Sequence, residues 1–145
     1  NNNYHQQTTT IVEYARGTEH GGYRQAFEHI SDQILSRAGI IYVQVSFEES
    51  RRKNRKRFNP KKPDSILEHA VDEKKLETLY RHDDWQDLVM QNGSKDYLKI
   101  RDYKVPFAVI ENEDDVTSAG GSALASRLQE GLGELWMIKE SLQDG

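Results

Sequence analysis

The stretch IIYVQVSFEESRRKNRKR, Ile40 to Arg57, joins an apolar run to a cationic one across a single serine. Ile40 to Val45 is nearly continuous in apolar residues and rich in β-branched ones. That pattern predicts a buried strand of the parallel type, covered on both faces. Ser46 is placed to cap a helix, and Glu48 and Glu49 fall in its first turn, where the helix dipole favours anions. The cations follow toward its carboxyl end, again as the dipole prefers. A buried strand feeding directly into a helix points to an α/β fold.

Working outward, Thr8 to Val12 forms a β-branched run that reads as another buried strand ended by Gly17. Gly21-Gly22 then breaks the chain before one helix carrying Tyr23, Ala26, Phe27, Ile30, Ile34 and Leu35 at helical spacing. Beyond the cationic helix, Asn59-Pro60 and Pro63 interrupt the chain. Short helices are expected near Asp64–His69 and Asp72–Arg81, the second with Leu76, Leu79 and Tyr80 inward. Asn92-Gly93 marks a turn. YLKIRDYKVPFAVIEN predicts a short strand, a turn at Asp102 and a strong strand from Val105 to Ile110, where Pro106 is tolerable near the start. A final amphipathic helix, about Ser118 to Leu142, is expected to turn Leu124, Leu128, Leu132, Leu135 and Trp136 inward, with Gly131 and Gly133 weakening its middle. Trp85 and Trp136 read as packing anchors. Strands alternating with helices give the expected architecture: a three-layer α/β domain over 8–145, with a parallel sheet, flanking helices and right-handed crossovers. Residues 1–7, polar and Asn-rich, read as a disordered tail.

The chain has 145 residues, enough for one domain with its own core, and a formal net charge of -4. That charge is unevenly distributed. Arg51 to Lys62 holds eight cations and no acid, so the rest of the chain carries about -12. A broadly basic surface, the usual mark of a nucleic-acid binder, is absent. There is no cysteine, which removes disulfides and thiolate metal sites and suits a cytoplasmic setting. The five histidines have no metal-ligand spacing. No apolar run is long enough to cross a membrane.

In parallel α/β sheets, ligands sit outside the carboxyl ends of the strands. Those ends place Glu13 and Arg16 after the first run, Ser46 and the cations after the second, and Glu111 to Asp115 after the third. Repeated like charges at i,i+4, such as Arg51/Arg55, Arg52/Lys56 and Lys53/Arg57, oppose one another. Their repetition hints at an anionic partner, a nucleotide or RNA. The bland alternatives are a solvated helix face and, for ENEDD, a solvated loop.

The segments IVEYARG, YRQAFEHISDQILSRAGIIYVQVSFEESRRKNRKR and VPFAVIENEDD resemble the second half of P-loop kinases of the nucleoside- and nucleotide-kinase type. The likeness spans about Thr8 to Trp136. It implies a magnesium-ATP-dependent phosphotransferase acting on a nucleotide, nucleoside or small phosphorylated metabolite. By that resemblance Glu13 places magnesium or accepts the substrate's hydroxyl proton, and Arg16 steadies the phosphoryl group. Arg51, Arg52, Lys53, Arg55 and Arg57 are implied as phosphate-gripping cations on a lid segment of about 51–92. Glu111, Asn112 and Asp114 are implied as the loop beside the nucleotide base. Phosphoryl transfer rests on positioning and charge neutralisation, to which the arginine fork is suited. The family's G-x-x-x-x-G-K-[ST] phosphate loop and its strand are missing from this sequence. The expectation is therefore that an N-terminal segment or a homo-oligomer completes the site. The alternative is a non-catalytic module that binds nucleotide or RNA through residues 51–62.

Overall fold

The computed structural model describes residues 9–143, apart from 63 and 66–69. The expected tail 1–7, Thr8 and most of the expected 64–69 helix lie outside these residues. After a 3-10 turn at Thr18–His20 come α1 (Gly22–Glu28), α2 (Asp32–Leu35), β1 (Ile40–Gln44), α3 (Phe47–Arg57), α4 (Glu73–Tyr80) and α5 (Trp85–Asn92). β2 (Tyr97–Ile100), β3 (Tyr103–Glu111), α6 (Val116–Ala119) and α7 (Gly121–Gln143) complete the chain. The single helix expected from Tyr23 to Leu35 is two, parted at His29–Ser31.

The protein is an α/β fold built on a small mixed sheet of order β1-β3-β2. β1 and β3 run parallel, from Ile40 opposite Phe107 to Gln44 opposite Glu111. β2 runs antiparallel to β3, with Leu98 opposite Val105, so the wholly parallel sheet expected above is corrected to a mixed one. The physical reason is the short connection through Arg101-Asp102, which leaves room only for a hairpin. Arg101 turns the corner at φ 53°, a left-handed conformation costly for a residue with a Cβ. Its guanidinium holds the α1–α2 junction, donating to Glu28 O at 2.9 Å, Ile30 O at 2.5 Å and Asp32 Oδ1 at 2.7 Å.

Thr9 to Val12 is not a strand. Ile11 and Val12 are 90 % and 74 % exposed, and β-branched residues hold an extended form only where a partner strand and a core receive them. β3 lies between its two neighbours, which explains why its sequence is apolar almost throughout. Tyr103, Val105 and Phe107 point with Leu98 and Ile100 toward Phe27, Leu35 and Trp85. Trp85 is 2 % exposed, stacks on Tyr42 at 4.4 Å between ring centres and meets Phe107 edge-on at 5.2 Å. As expected, it is a packing anchor, and it brings part of the 51–92 segment into the core.

The opposite face of β3 carries Ala108 and Ile110, against α7. Gly131 is the contact point: a Cβ there would stand 2.8 Å from Ile110 Cγ1. Of the residues expected inward on α7, Leu124 and Leu135 are half-buried, but Leu128, Leu132 and Trp136 are exposed, Trp136 by 61 %. The helix turns about 100° per residue, so the arc through Leu124, Arg127, Gly131, Leu135 and Ile138 faces the sheet. The i,i+4 row Leu128, Leu132, Trp136 runs along its flank.

The two outer edges of the sheet differ. On β2, Asn92 Nδ2 donates to Tyr97 O at 2.5 Å and its Oδ1 accepts from Lys99 N at 2.7 Å, so one side chain caps the edge. On β1, Gln44 O accepts from Asn112 N on the β3 side. By alternation, the N–H and C=O of Ile41 and Val43 face outward. Among the described residues no backbone partner meets them.

Candidate functional site

The site grows from the junction where β1 hands over to α3. Ser46 caps the helix as expected, its Oγ accepting from Glu49 N at 3.2 Å. Asn54 is the buried residue of this otherwise charged helix; its Nδ2 donates to Val71 O and its Oδ1 accepts from Val71 N, both at 2.8 Å. That pair fixes α3 against the chain entering α4 and decides which faces the cations take.

On one flank, Arg51 pairs with Glu73 and lies 3.6 Å from Glu48, and Arg55 reaches Glu73 at 3.4 Å. Arg51 also lies over the Phe47 ring at 5.7 Å, with Arg81 over the same ring at 5.3 Å. On the other flank, Arg52 forks onto Glu49 at 2.6 and 2.7 Å and reaches Asp115 at 2.5 Å. Lys56 joins it on Asp115 at 3.2 Å. Lys53 is the least exposed of these cations, its side chain 12 % accessible. Its Nζ donates to Asn112 O and Oδ1, both at 2.6 Å. Arg57 makes no ion pair with a described residue.

The loop after β3 answers each of these groups in turn. Asn112 takes Lys53 and also accepts from Thr117 Oγ1 at 2.8 Å. Glu113 receives the Ser46 N–H and, at 3.0 Å, the Ser46 hydroxyl. Asp114 is gripped by both Arg127 Nη atoms at 2.8 and 2.6 Å, while Arg127 also donates to Glu111 O at 3.1 Å. Asp115 takes Arg52 and Lys56. These pairings move the carboxylates in one direction. Arg127, and then the Val116 N–H, hold Asp114 far below the usual carboxylate range. Arg52, then Lys56, lower Asp115; Arg52 lowers Glu49; and Arg51 lowers Glu73.

The structure therefore brings Arg52 and Lys53 to the loop that holds Asn112 and Asp114, at the carboxyl ends of β1 and β3, while Arg51 and Arg55 lie on the other flank of α3 with Glu73. Glu13 and Arg16 are exposed. The Tyr14 and Tyr23 rings lie 6.0 Å apart, with the Arg16 backbone beside the Tyr23 hydroxyl. Burial first, then the Asp83 charge, push that hydroxyl up to about 12. No hydrogen bond or ion pair joins Glu13 or Arg16 to α3 or to the 112–115 loop among the described residues. A small hollow of about 90 Å³ lies nearby, lined by Thr18, Glu19, Glu77, Thr78, Arg81 and His82. A shallower concavity runs along α7, remote from the cations.

No family model matches this chain, and no curated protein or solved structure matches it. Function is therefore argued from the site alone.

Lys56, Glu113 and Asp115 enter the sequence reading only as parts of the 51–62 and 111–115 runs, without roles of their own, and Arg127 is not singled out at all. Lys56 had one available signal, its i,i+4 spacing from Arg52. The partnership of Asp115 with both cations crosses about sixty residues of chain and has no local trace. The described residues do not by themselves supply a magnesium site. They contain no group of three His, Asp or Glu side chains placed to hold a metal. Asp114 and Asp115 are taken by cations, and no glycine-rich loop meets α3. No helix among the described residues is long and apolar enough to cross a membrane.

Proposed function

We propose that this domain binds the phosphate groups of a nucleotide, or of a small phosphorylated metabolite, beside the carboxyl ends of β1 and β3. In this reading it is the phosphate-handling part of a P-loop-kinase-like phosphotransferase whose donor loop comes from polypeptide outside the described residues. The observation that carries it is the gathering of Arg52, Lys53 and Lys56 at the Ser46-capped exit of β1, against the loop leaving β3. Open α/β sheets bind ligands at such places. The bare outer edge of β1 supports the second part, because it leaves room for a further strand beside the site.

The alternative, an RNA-binding module working through 51–62, is less well supported. Arg51, Arg52, Lys53, Arg55 and Lys56 each meet a carboxylate within 4.0 Å, so the block is largely neutralised internally instead of forming an open basic surface. Glu13 and Arg16 enter the phosphotransfer reading as proton acceptor and phosphoryl clamp only if the completing segment draws them toward α3.

Calorimetric titration of the chain with nucleoside mono-, di- and triphosphates tests the binding claim. Arg52→Gln is expected to weaken the tightest of them about tenfold, the effect of one charged hydrogen-bonding group. Absence of binding at millimolar ligand rejects the reading. In a form that turns over, Glu13→Gln is expected to lower the rate about a hundredfold or more with nucleotide affinity unchanged; an unaltered rate removes Glu13 from the mechanism.

A further inference from the structure

The ion pairs of α3 divide between its two flanks. On the first, Arg51 and Arg55 face Glu48 and Glu73, two cations against two carboxylates. On the second, Arg52, Lys53 and Lys56 face Glu49 and Asp115, three cations against two carboxylates within ion-pair distance. The second flank also has Glu113 and Asp114 close by in the loop, held by Ser46 and Arg127 and beyond that distance. Its two ion-paired carboxylates are held differently. Glu49 belongs to α3 itself and lies close to the helix, its side chain 12 % exposed. Asp115 arrives from the β3–α6 loop, is 48 % exposed, and bridges two cations one helical turn apart.

We propose that Arg52 and Lys56 form a phosphate subsite which Asp115 occupies as an internal stand-in until a phosphate displaces it. The inference rests on the phosphate-binding reading above and narrows it to these two cations. The ligand group it selects is a terminal phosphate in its dianionic form, such as a phosphomonoester. Exchange of the Asp115 carboxylate for a dianion gives Arg52 and Lys56 two negative charges to share in place of one. Arg52 offers its guanidinium fork and Lys56 a point charge, a pairing suited to a tetrahedral oxyanion. The neighbours of Asp115 show how it leaves without unravelling the loop. Asp114 stays on Arg127 and Asn112 stays on Lys53, so the loop keeps anchors on both sides of Glu113. Self-occupancy lowers the apparent affinity by the fraction of time the subsite is closed.

Inorganic phosphate, titrated at about pH 8 where it is a dianion, is the probe. Asp115→Asn is expected to bind it about tenfold more tightly than the parent chain, because the competing charge is gone and the loop side chain remains. Arg52→Gln/Lys56→Gln is expected to abolish binding. Equal or weaker binding by Asp115→Asn, in a chain whose parent binds phosphate, overturns the inference and leaves the broader reading standing. Failure of every form to bind phosphate or nucleotide defeats both. If Asp115→Asn does not fold, the parent chain decides by NMR. Phosphate is expected to shift the Arg52 Nε–H resonance and leave that of Arg55 in place; movement of Arg55 alone contradicts the assignment.

Discussion

Asn54 and Val71 form a two-point clasp, amide to backbone, each bond 2.8 Å long, at the buried centre of a helix whose neighbours are all charged. Asn54→Ala removes both bonds and leaves the Val71 N–H and C=O without partners. A loss of about 2–3 kcal/mol is expected. Urea unfolding reads it as a lower midpoint with little change in slope. A midpoint matching the parent would show that the α3–α4 contact does not depend on this residue.

Trp85 touches Tyr42, Tyr23 and Phe107 at once and fills the largest space in the core. Trp85→Ala should cost about 3–5 kcal/mol, and Trp85→Phe distinctly less because the ring contacts survive in part. Fluorescence supplies a second check. In a Trp136→Phe background the remaining emission belongs to Trp85, and it should be blue-shifted and poorly quenched by iodide.

Two glycines of α7, two residues apart, should respond with opposite signs. Gly133 has open space where a Cβ would go, so Gly133→Ala should raise stability by about 0.5–1 kcal/mol through better helix propensity. Gly131→Ala drives a methyl against Ile110 at 2.8 Å and should lower it by about 1–3 kcal/mol. Thermal melts of the two variants side by side test whether α7 docks on β3 in this register.

Acid should loosen the α3 network before the core. Asp114, Asp115, Glu49 and Glu73 are all held below their ordinary values of 3.8 for aspartate and 4.5 for glutamate. A carboxylate depressed in the folded state contributes stability that is complete above its unfolded value and is lost as pH falls toward the folded one. Melting temperature should therefore be steady near neutrality and drop below about pH 4.5. Salt at about 1 M should shrink the effect, since Asp114, Asp115 and Glu73 are each about half exposed and the screening length falls to about 3 Å. A melting temperature independent of pH between 6 and 3 would contradict the pairing.

Much of this architecture is legible locally. The run at 105–110 is a strand because no other conformation buries so many consecutive apolar side chains; the run at 40–45 is also a strand, but as the sheet edge it is only half-buried, with Val43 48 % exposed, so the two-sided cover expected for it is corrected. Ser46, Glu48 and Glu49 place the start of α3, and the cations place its end, because capping and dipole effects act over one turn. Trp85 announces itself by size. The misreadings share one cause. Thr9 to Val12 has strand propensity but no neighbour to pair with, β2 is turned antiparallel by a two-residue corner, and the row Leu128, Leu132, Trp136 is apolar without lying on the buried arc.

The sequence by itself determined where charge accumulates and most of the extended and helical segments, since both follow largely from side chains within a few positions of one another. Only the tertiary structure decided what those charges face. Asp115 meets Arg52 and Lys56, and Glu113 meets Ser46, because β1 and β3 run parallel and end at the same rim; Coulomb attraction at hydrogen-bond distance depends on that juxtaposition, which separation along the chain does not encode.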